Sequence, residues 1–226
     1  MSRSKFALRP MRPCTLTRAA CSTTAVAALT ILAACGSLFA PSPPSPHFYT
    51  LDAPSPIAAP PLGTVSASVV VSAPVMIVAQ PGAEAGFDTD RIVYLLEEHR
   101  LQPYADNQWI DTPSKMLAPL ISGALSRTGV FGAVLQAPSR VIGQWEIQSD
   151  IVRLQQEVAA ERFRFTLHVT LIDQRTRTVI VAREFDASAP ISGTGPAAAV
   201  AAANVVVADV LGRVAEVCAS EVARRR

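Results

Sequence analysis

The residues with the clearest chemical potential lie near the start of the chain, where Leu32, Ala33 and Ala34 precede Cys35. They close a stretch that begins with basic residues, continues through an apolar segment at 25–32 and ends in small side chains. This order is typical of a secretory signal peptide. The sequence therefore predicts an exported chain with a thiol at the end of its signal.

The run Leu-Ala-Ala-Cys-Gly at 32–36 resembles a bacterial lipobox. The resemblance implies cleavage before Cys35, a diacylglyceryl group on its sulfur, and a fatty acyl chain such as palmitate on the new amino group. One acyl chain holds a protein only marginally, whereas several chains hold it durably, at about 0.8 kcal/mol per buried methylene. Cys35 is thus the predicted lipidation site. Gly36 and Ser37 include no Asp, which in the lipoprotein sorting pattern implies export to the outer membrane.

An alternative is that the segment 20–34 remains in the membrane as a single span. This segment is shorter than the roughly 20 residues that a spanning helix needs. It also carries Thr23, Thr24 and Thr30. Both features favour a cleaved signal over a permanent span.

Length and charge limit what the rest of the chain can be. Without residues 1–34, 192 residues remain, with 15 basic and 18 acidic side chains. This length predicts one domain with a real core. A mildly acidic domain gives no electrostatic case for nucleic-acid binding. We divide the chain into a signal peptide at 1–34, an acylated Cys and Pro-rich tether with a short docking strand at 35–63, and one domain at 64–226.

Only one cysteine remains for the folded domain. Cys14 and Cys21 leave with the signal, and acylation uses Cys35, so Cys218 has no partner for a disulfide framework. Two roles stay open for Cys218: a small apolar residue of the core, which we favour, or a thiol that pairs between chains.

Hydrophobic periodicity predicts an α+β domain, a mainly antiparallel sheet with two helices packed on it. One helix begins at Pro113 after Thr112 and stops at Gly129, and the other runs from Pro196 to about Val222. A small-residue loop is expected at 187–195. The predicted strands are at 47–51, 64–72 with a continuation at 75–78, 92–95, 100–104, 141–148, 162–171 and 178–185.

Two helix-associated features have more than one interpretation. Trp109, just before the first helix, is predicted mainly as a lid on the core, with a partner-binding anchor as the alternative. Arg224, Arg225 and Arg226 follow the second helix, where they compensate the helix dipole or form a membrane-surface patch. The buried stripe of that helix is predicted to be Val200, Val207, Leu211, Val214 and Cys218.

The domain shows no constellation typical of catalysis. His47, His99 and His168 lie in three separate segments without metal-ligand spacing. The acidic pair at 97–98 falls in a predicted turn, and Gly193-Thr-Gly195 is better explained by turn chemistry than by phosphate binding. Strand alternation puts the Phe and Arg side chains of 162–165 on opposite faces, which argues against a stacking platform for RNA. The sequence therefore predicts neither an enzyme nor a cofactor.

Several motifs together carry a resemblance to a known family. They are Phe48-Tyr-Thr-Leu51 after a Pro-rich tether, Asp90-Arg-Ile-Val-Tyr94, and Trp109 shortly before the run 113–117. The run 125–131 and paired final strands before a long helix follow in order. With the lipobox, this order resembles the ABC-type transport auxiliary lipoproteins, which are PqiC-like and associated with MCE systems.

The resemblance implies an outer-membrane lipoprotein that serves intermembrane phospholipid transport without being an enzyme. Its partners would be a mammalian-cell-entry (MCE) domain conduit protein and an ABC permease and ATPase. Exposed sheet edges add the expectation of a homo-oligomer. Two other hypotheses stay open: a lipoprotein that activates a peptidoglycan enzyme, and a domain that carries lipid in its own apolar cavity.

Acylation of Cys35 gives the first testable prediction. In cells fed radiolabelled palmitate, we expect label on the mature protein and accumulation of the precursor under globomycin, because both follow from processing at the lipobox. Unchanged processing under globomycin together with an unlabelled product would exclude the lipid anchor.

Overall fold

The computed structural model describes residues 45–52 and 73–225. Within them, nine strands form one mixed sheet that carries two helices, which confirms the predicted α+β class. The predicted strand at 64–72, the signal peptide and Cys35 lie outside the described residues.

The elements follow one another along the chain as strands with two inserted helices. In chain order they are β1 His47–Tyr49, β2 Val75–Val78, β3 Gly82–Ala83, β4 Arg91–Glu97, β5 Arg100–Trp109, α1 Pro113–Arg127, β6 Ala133–Gln136, β7 Trp145–Glu157, β8 Arg162–Asp173, β9 Thr178–Pro190 and α2 Gly195–Ala223. A single 3-10 turn, Val158–Ala160, joins β7 to β8.

Strand β7 connects all parts of the sheet. Along one edge it pairs antiparallel with the whole of β8, which in turn pairs antiparallel with β9. Along the other edge it meets three parallel strands in succession: β2 near Trp145, β3 at Asp150 and β4 at Gln156. The β4–β5 hairpin then carries β1, and β2 carries β6. The predicted strands at 47–51, 92–95 and 100–104 thus belong to the same sheet as the final meander.

The core lies between the sheet and the helices. Strand β8 alternates, so its apolar side chains at 163–171 point to the helix side, where α2 packs against β8 and β9. The fully buried members of this row are Phe163, Phe165, Leu167, Val169 and Leu171. Each such side chain contributes about 1.5–3 kcal/mol relative to leaving it in water. This row therefore fixes where α2 must lie.

Both helices begin and end as the sequence indicates. Helix α1 has Pro113 at its first position and is followed by Gly129, whose φ of 68° suits glycine. Every residue of the predicted buried stripe of α2 is buried. By length and composition α2 could also cross a membrane, but half of its most apolar window is buried inside the fold, as expected of a core helix. Trp109 is buried, which confirms it as a lid on the core.

The predicted strand at 141–148 was wrong at both ends, since β7 begins at Trp145 and runs to Glu157. A register shift between Ile151 and Arg153 inserts one residue and reverses the alternation. Ile151 before the shift and Leu154 after it therefore both face the core. A search for strictly alternating apolar residues therefore misses this second half of the strand.

Strand β9 also extends further than predicted. The segment 187–195 was expected to be a loop, yet pairing with β8 continues to Pro190 opposite Arg162. Ala187, Ser188 and Ala189 have little strand preference of their own. They are held extended because β8 provides a paired partner over its full length. The short strands β3 and β6 were not predicted.

Cys218 is the free cysteine of the described residues, and it is buried. Burial raises the pKa of its thiol to about 12. A neutral, enclosed thiol acts as a small apolar residue, which confirms the core interpretation over pairing between chains.

The row of β8 side chains gives a stability prediction. We expect Phe165→Ala to lower the free energy of unfolding by about 3–5 kcal/mol, because it leaves a cavity beneath α2. Val179→Ala, at a side chain that is 58% exposed, should change it by no more than about 0.5 kcal/mol. Denaturant titration measures both, and similar losses for the two variants would contradict this account of the core.

Candidate docking face

The helices leave the opposite face of the β7–β8–β9 meander to mostly polar side chains. We call this surface the docking face. Because neighbouring strands pair in register, its side chains form rows across the three strands. Its members are Glu146, Gln148, Asp150, Arg153, Gln155, Glu157, Arg162, Arg164, Thr166, His168, Thr170, Glu184, Asp186 and Ser188.

Charged residues at one end of the docking face form a connected network. The Glu157 carboxylate, 10% exposed, accepts a hydrogen bond from Arg162 Nε at 2.6 Å and lies 3.6 Å from Arg164 Nη1. Arg164 donates from Nε and Nη2 to the two oxygens of Asp186 at 2.8 and 3.3 Å. Thr166 Oγ1 donates to Asp186 Oδ1 at 2.5 Å. Two carboxylates and two guanidinium groups thus hold one another in place.

The protonation states in this network are set by its own contacts. Burial alone would raise the pKa of Asp186, but the hydrogen bonds from Arg164 and Thr166 outweigh it and hold that pKa below its usual value. The hydrogen bond to Asp186 in turn raises the pKa of Arg164. Both groups therefore stay ionised at neutral pH, and the face presents fixed charge.

A groove of about 530 Å³ runs between this network and the β4–β5 hairpin. Its apolar wall is formed by Phe87, Leu95 and Leu101, and its charged floor includes Arg153 and Arg164. A second groove of about 250 Å³ continues along β7 and is lined by Ala83, Glu84, Asp150, Val152, His168 and Glu184. Apolar surface beside ordered charge is a composition suited to binding another molecule.

The chemistry-bearing residues of the sequence do not come together. His47 lies on β1, His99 in the hairpin turn and His168 on the docking face, as its strand position predicted. Glu98 lies beside His99 and is exposed in that turn. In the ranges 45–52 and 73–225, no group of three His, Cys, Asp or Glu side chains is placed to hold a metal ion.

Sequence reasoning did not find the acidic half of the network. Glu157 lies beyond the register shift in β7, and Asp186 lies one residue beyond the predicted end of β9. Both were hidden by errors in strand length. The one available signal was the Arg162 and Arg164 pair on the polar side of β8, which calls for nearby counter-charges.

These features define an α+β protein with a helix-covered core and an open, charged sheet face. A family model described as an ABC-type transport auxiliary lipoprotein component matches residues 49–215, which include all but β1's first two residues and the last turns of α2. The chain therefore belongs to the ABC-type transport auxiliary lipoproteins, as the sequence motifs indicated. Membership gives it an auxiliary role as a lipoprotein of the cell envelope in an ABC-type transport system.

Solved structures show the same fold. Protein XCC0632 from Xanthomonas campestris, of the DUF330 family, is similar with a TM-score of 0.63 and 21% identity, over 68% of this chain and 88% of that one. A crystal structure of an uncharacterized protein is similar with a TM-score of 0.59 and 13% identity, over 79% of this chain and 99% of that one. No curated protein sequence gave a significant match.

The network predicts a specific loss of stability. Glu157→Gln keeps the side-chain shape but leaves Arg162 and Arg164 without the carboxylate between them, so we expect a loss of about 1–2 kcal/mol, after allowance for the partial exposure of both arginines. The melting temperature should fall by roughly 2–8 °C. Calorimetry measures this shift. Glu184→Gln, on the same face but exposed, should leave it nearly unchanged, and equal shifts for the two variants would contradict a special role for Glu157.

Proposed function

We propose that this chain is an outer-membrane-anchored, non-enzymatic docking component of an ABC-type system that moves phospholipid between membranes. Its partners are an MCE-domain conduit protein and an ABC permease and ATPase. The observation that carries the proposal is the family match over 49–215, which includes nearly the whole described domain.

The proposal assigns the anchor to acylated Cys35 after removal of residues 1–34. Strand β1 begins at His47, so the tether from Cys35 to Pro46 joins the domain at the edge of β5. At about 3.1 Å per residue, a stretched Pro-rich tether of this length reaches roughly 35 Å. A tether with that reach lets the domain stand away from the bilayer and meet the conduit. At the start of the domain, the backbone N–H of Asp52 donates to Asn204, which ties this segment to the last helix, α2.

The docking face is the proposed contact surface for the conduit. Its grooves combine an apolar wall with arginine and carboxylate side chains that are already ordered by one another. Ordered charges add specificity and steer association without losing much side-chain entropy on binding. Partner strands at the exposed sheet edges would form the homo-oligomer that the sequence predicts.

Site-specific crosslinking tests this assignment. A photoreactive residue at Glu184, on the docking face, should crosslink to the conduit protein in cells, whereas the same residue at Val205, exposed on α2, should not. Deleting the conduit gene should abolish co-purification of the permease and ATPase with this chain.

Two results would contradict the proposal. One is unchanged recovery of the transport partners after deletion of the conduit protein. The other is a knockout strain with altered peptidoglycan but normal detergent sensitivity, which would favour a regulator of a cell-wall enzyme. Crosslinks from Val205 alone would instead relocate the contact surface to the helices.

A further inference from the structure

Several chain segments meet at the end of the sheet where β7 begins. The loop 139–144 leads into Trp145, which pairs with Asp173, the last residue of β8. The backbone N–H of Gln174 donates to the oxygen of Gln144 at 2.9 Å. The loop 139–144 and the β8–β9 turn 174–177 are therefore direct neighbours.

Both helices run toward this end of the sheet. Arg213 of α2 donates to the backbone oxygen of Asp186, and five residues later Cys218 lies near Arg183. The neighbours of α2 on β9 thus move from Asp186 to Arg183, so α2 runs antiparallel to β9. Helix α1 ends at Arg127 just before Gly132, whose N–H donates to the oxygen of Pro74 at the start of β2. Strand β2 begins beside Trp145.

This end of the domain exposes aliphatic side chains. Ile142 is 93% exposed and Val141 is 52% exposed, both in the loop before β7. Val179, just after the β8–β9 turn, is 58% exposed. Gly143 follows Ile142 and is buried against Val75 and Ile77, so the loop is held at its base while its apolar tip projects. Adjacent exposed apolar groups such as Val141 and Ile142 mark interaction sites.

Arginines lie in the same loop, in the neighbouring turn and at the end of α1, and we call these arginines and aliphatic side chains together the basic tip. Its cations are Arg127, Arg140, Arg175 and Arg177, all exposed. The nearby acidic groups are largely engaged within the fold: Asp173 is buried and accepts the backbone N–H of Arg175, and Glu146 accepts from Gln148 and Gln174. Arg224 and Arg225 at the end of α2 pair with Glu221 and do not belong to this set. The four arginines outnumber the carboxylates of Asp173 and Glu146, so the tip carries a net positive charge on a mature chain with more acidic than basic residues.

We propose that the basic tip docks onto the surface of an anionic phospholipid bilayer. Ile142 and Val141 enter the boundary between headgroups and acyl chains, while the surrounding guanidinium groups bind lipid phosphates. Four arginines reach the lower end of the size range, about four to eight basic residues, of clusters that recognise anionic lipids. A projecting isoleucine needs no complementary pocket in a fluid bilayer, whereas a protein partner would need one, and this difference favours lipid. The inference is independent of the proposed conduit contact, which uses the docking face.

Fluorescence from a single labelled site tests the contact. The full chain, purified as the cell processes it, carries Ile142→Cys with an environment-sensitive fluorophore and is reconstituted into vesicles of phosphatidylcholine with or without phosphatidylglycerol. Buried Cys218 does not compete for the label, because its thiol is neutral and enclosed. We expect a blue shift, and quenching by bilayer-embedded quenchers, only with phosphatidylglycerol. Label at Val205→Cys, a site on α2 that is 58% exposed, should report water in both vesicles.

Charge variants separate a specific contact from general attraction. Arg140→Gln with Arg175→Gln should weaken the response by roughly fivefold per arginine removed. Arg91→Gln with Arg100→Gln removes the same charge from the exposed β4–β5 hairpin and should leave the response unchanged. An identical signal in both vesicle types, or equal effects of the two variant pairs, would overturn the proposal. A blue shift of the fluorophore at position 142 with an acidic protein, but not with vesicles, would also overturn the proposal, because it would assign the tip to a protein partner.

Discussion

The structure depends on the pairing of β7 with β8, because this pairing gives the sheet one apolar and one polar face at the same time. Strand β8 supplies the alternation, and β7 follows it over its whole length, even across the register shift after Ile151. The shift is what keeps Leu154 in the core and Glu157 on the outside. Without it, a one-residue slip would place a carboxylate beneath α2 and a leucine on the polar face. The core and the docking face therefore have the same structural cause.

The two faces also stabilise the fold in different ways. The helix side depends on burial of apolar area, which is non-directional and tolerates small adjustments. The docking face depends on ion pairs whose geometry is specific, with Arg164 shared between Glu157 and Asp186. Such networks add little net stability per contact but fix side-chain positions. A surface that must recognise a partner benefits from this order, since fewer rotamers have to be fixed on binding.

The sequence predicted the elements whose signals are local. Pro113 and Gly129 mark α1, Pro196 marks the start of α2, and the alternation of β8 was continuous, so these elements were found close to their true positions. The second half of β7 and the end of β9 were missed because their extent is set by pairing with β8 rather than by their own residues. The sequence accordingly predicted only half of the docking face. Arg162 and Arg164 could be placed on the polar side of β8, whereas their carboxylate partners come from the parts of β7 and β9 that tertiary pairing extends. The family was recognised from the order of motifs, and the family model confirms it.

The hydrogen bond from Arg213 to the backbone oxygen of Asp186 has a consequence for how the chain avoids misassembly. Strand β9 is 13 residues long and, among the described residues, pairs with β8 alone. A strand of this length is a ready template for the uncontrolled addition of foreign chains. The guanidinium of Arg213 already donates to the backbone oxygen of Asp186, near the middle of β9. A foreign strand that paired with β9 at this position would first have to displace that guanidinium. The long helix thus hinders strand addition at this point of the β9 edge as well as covering the core.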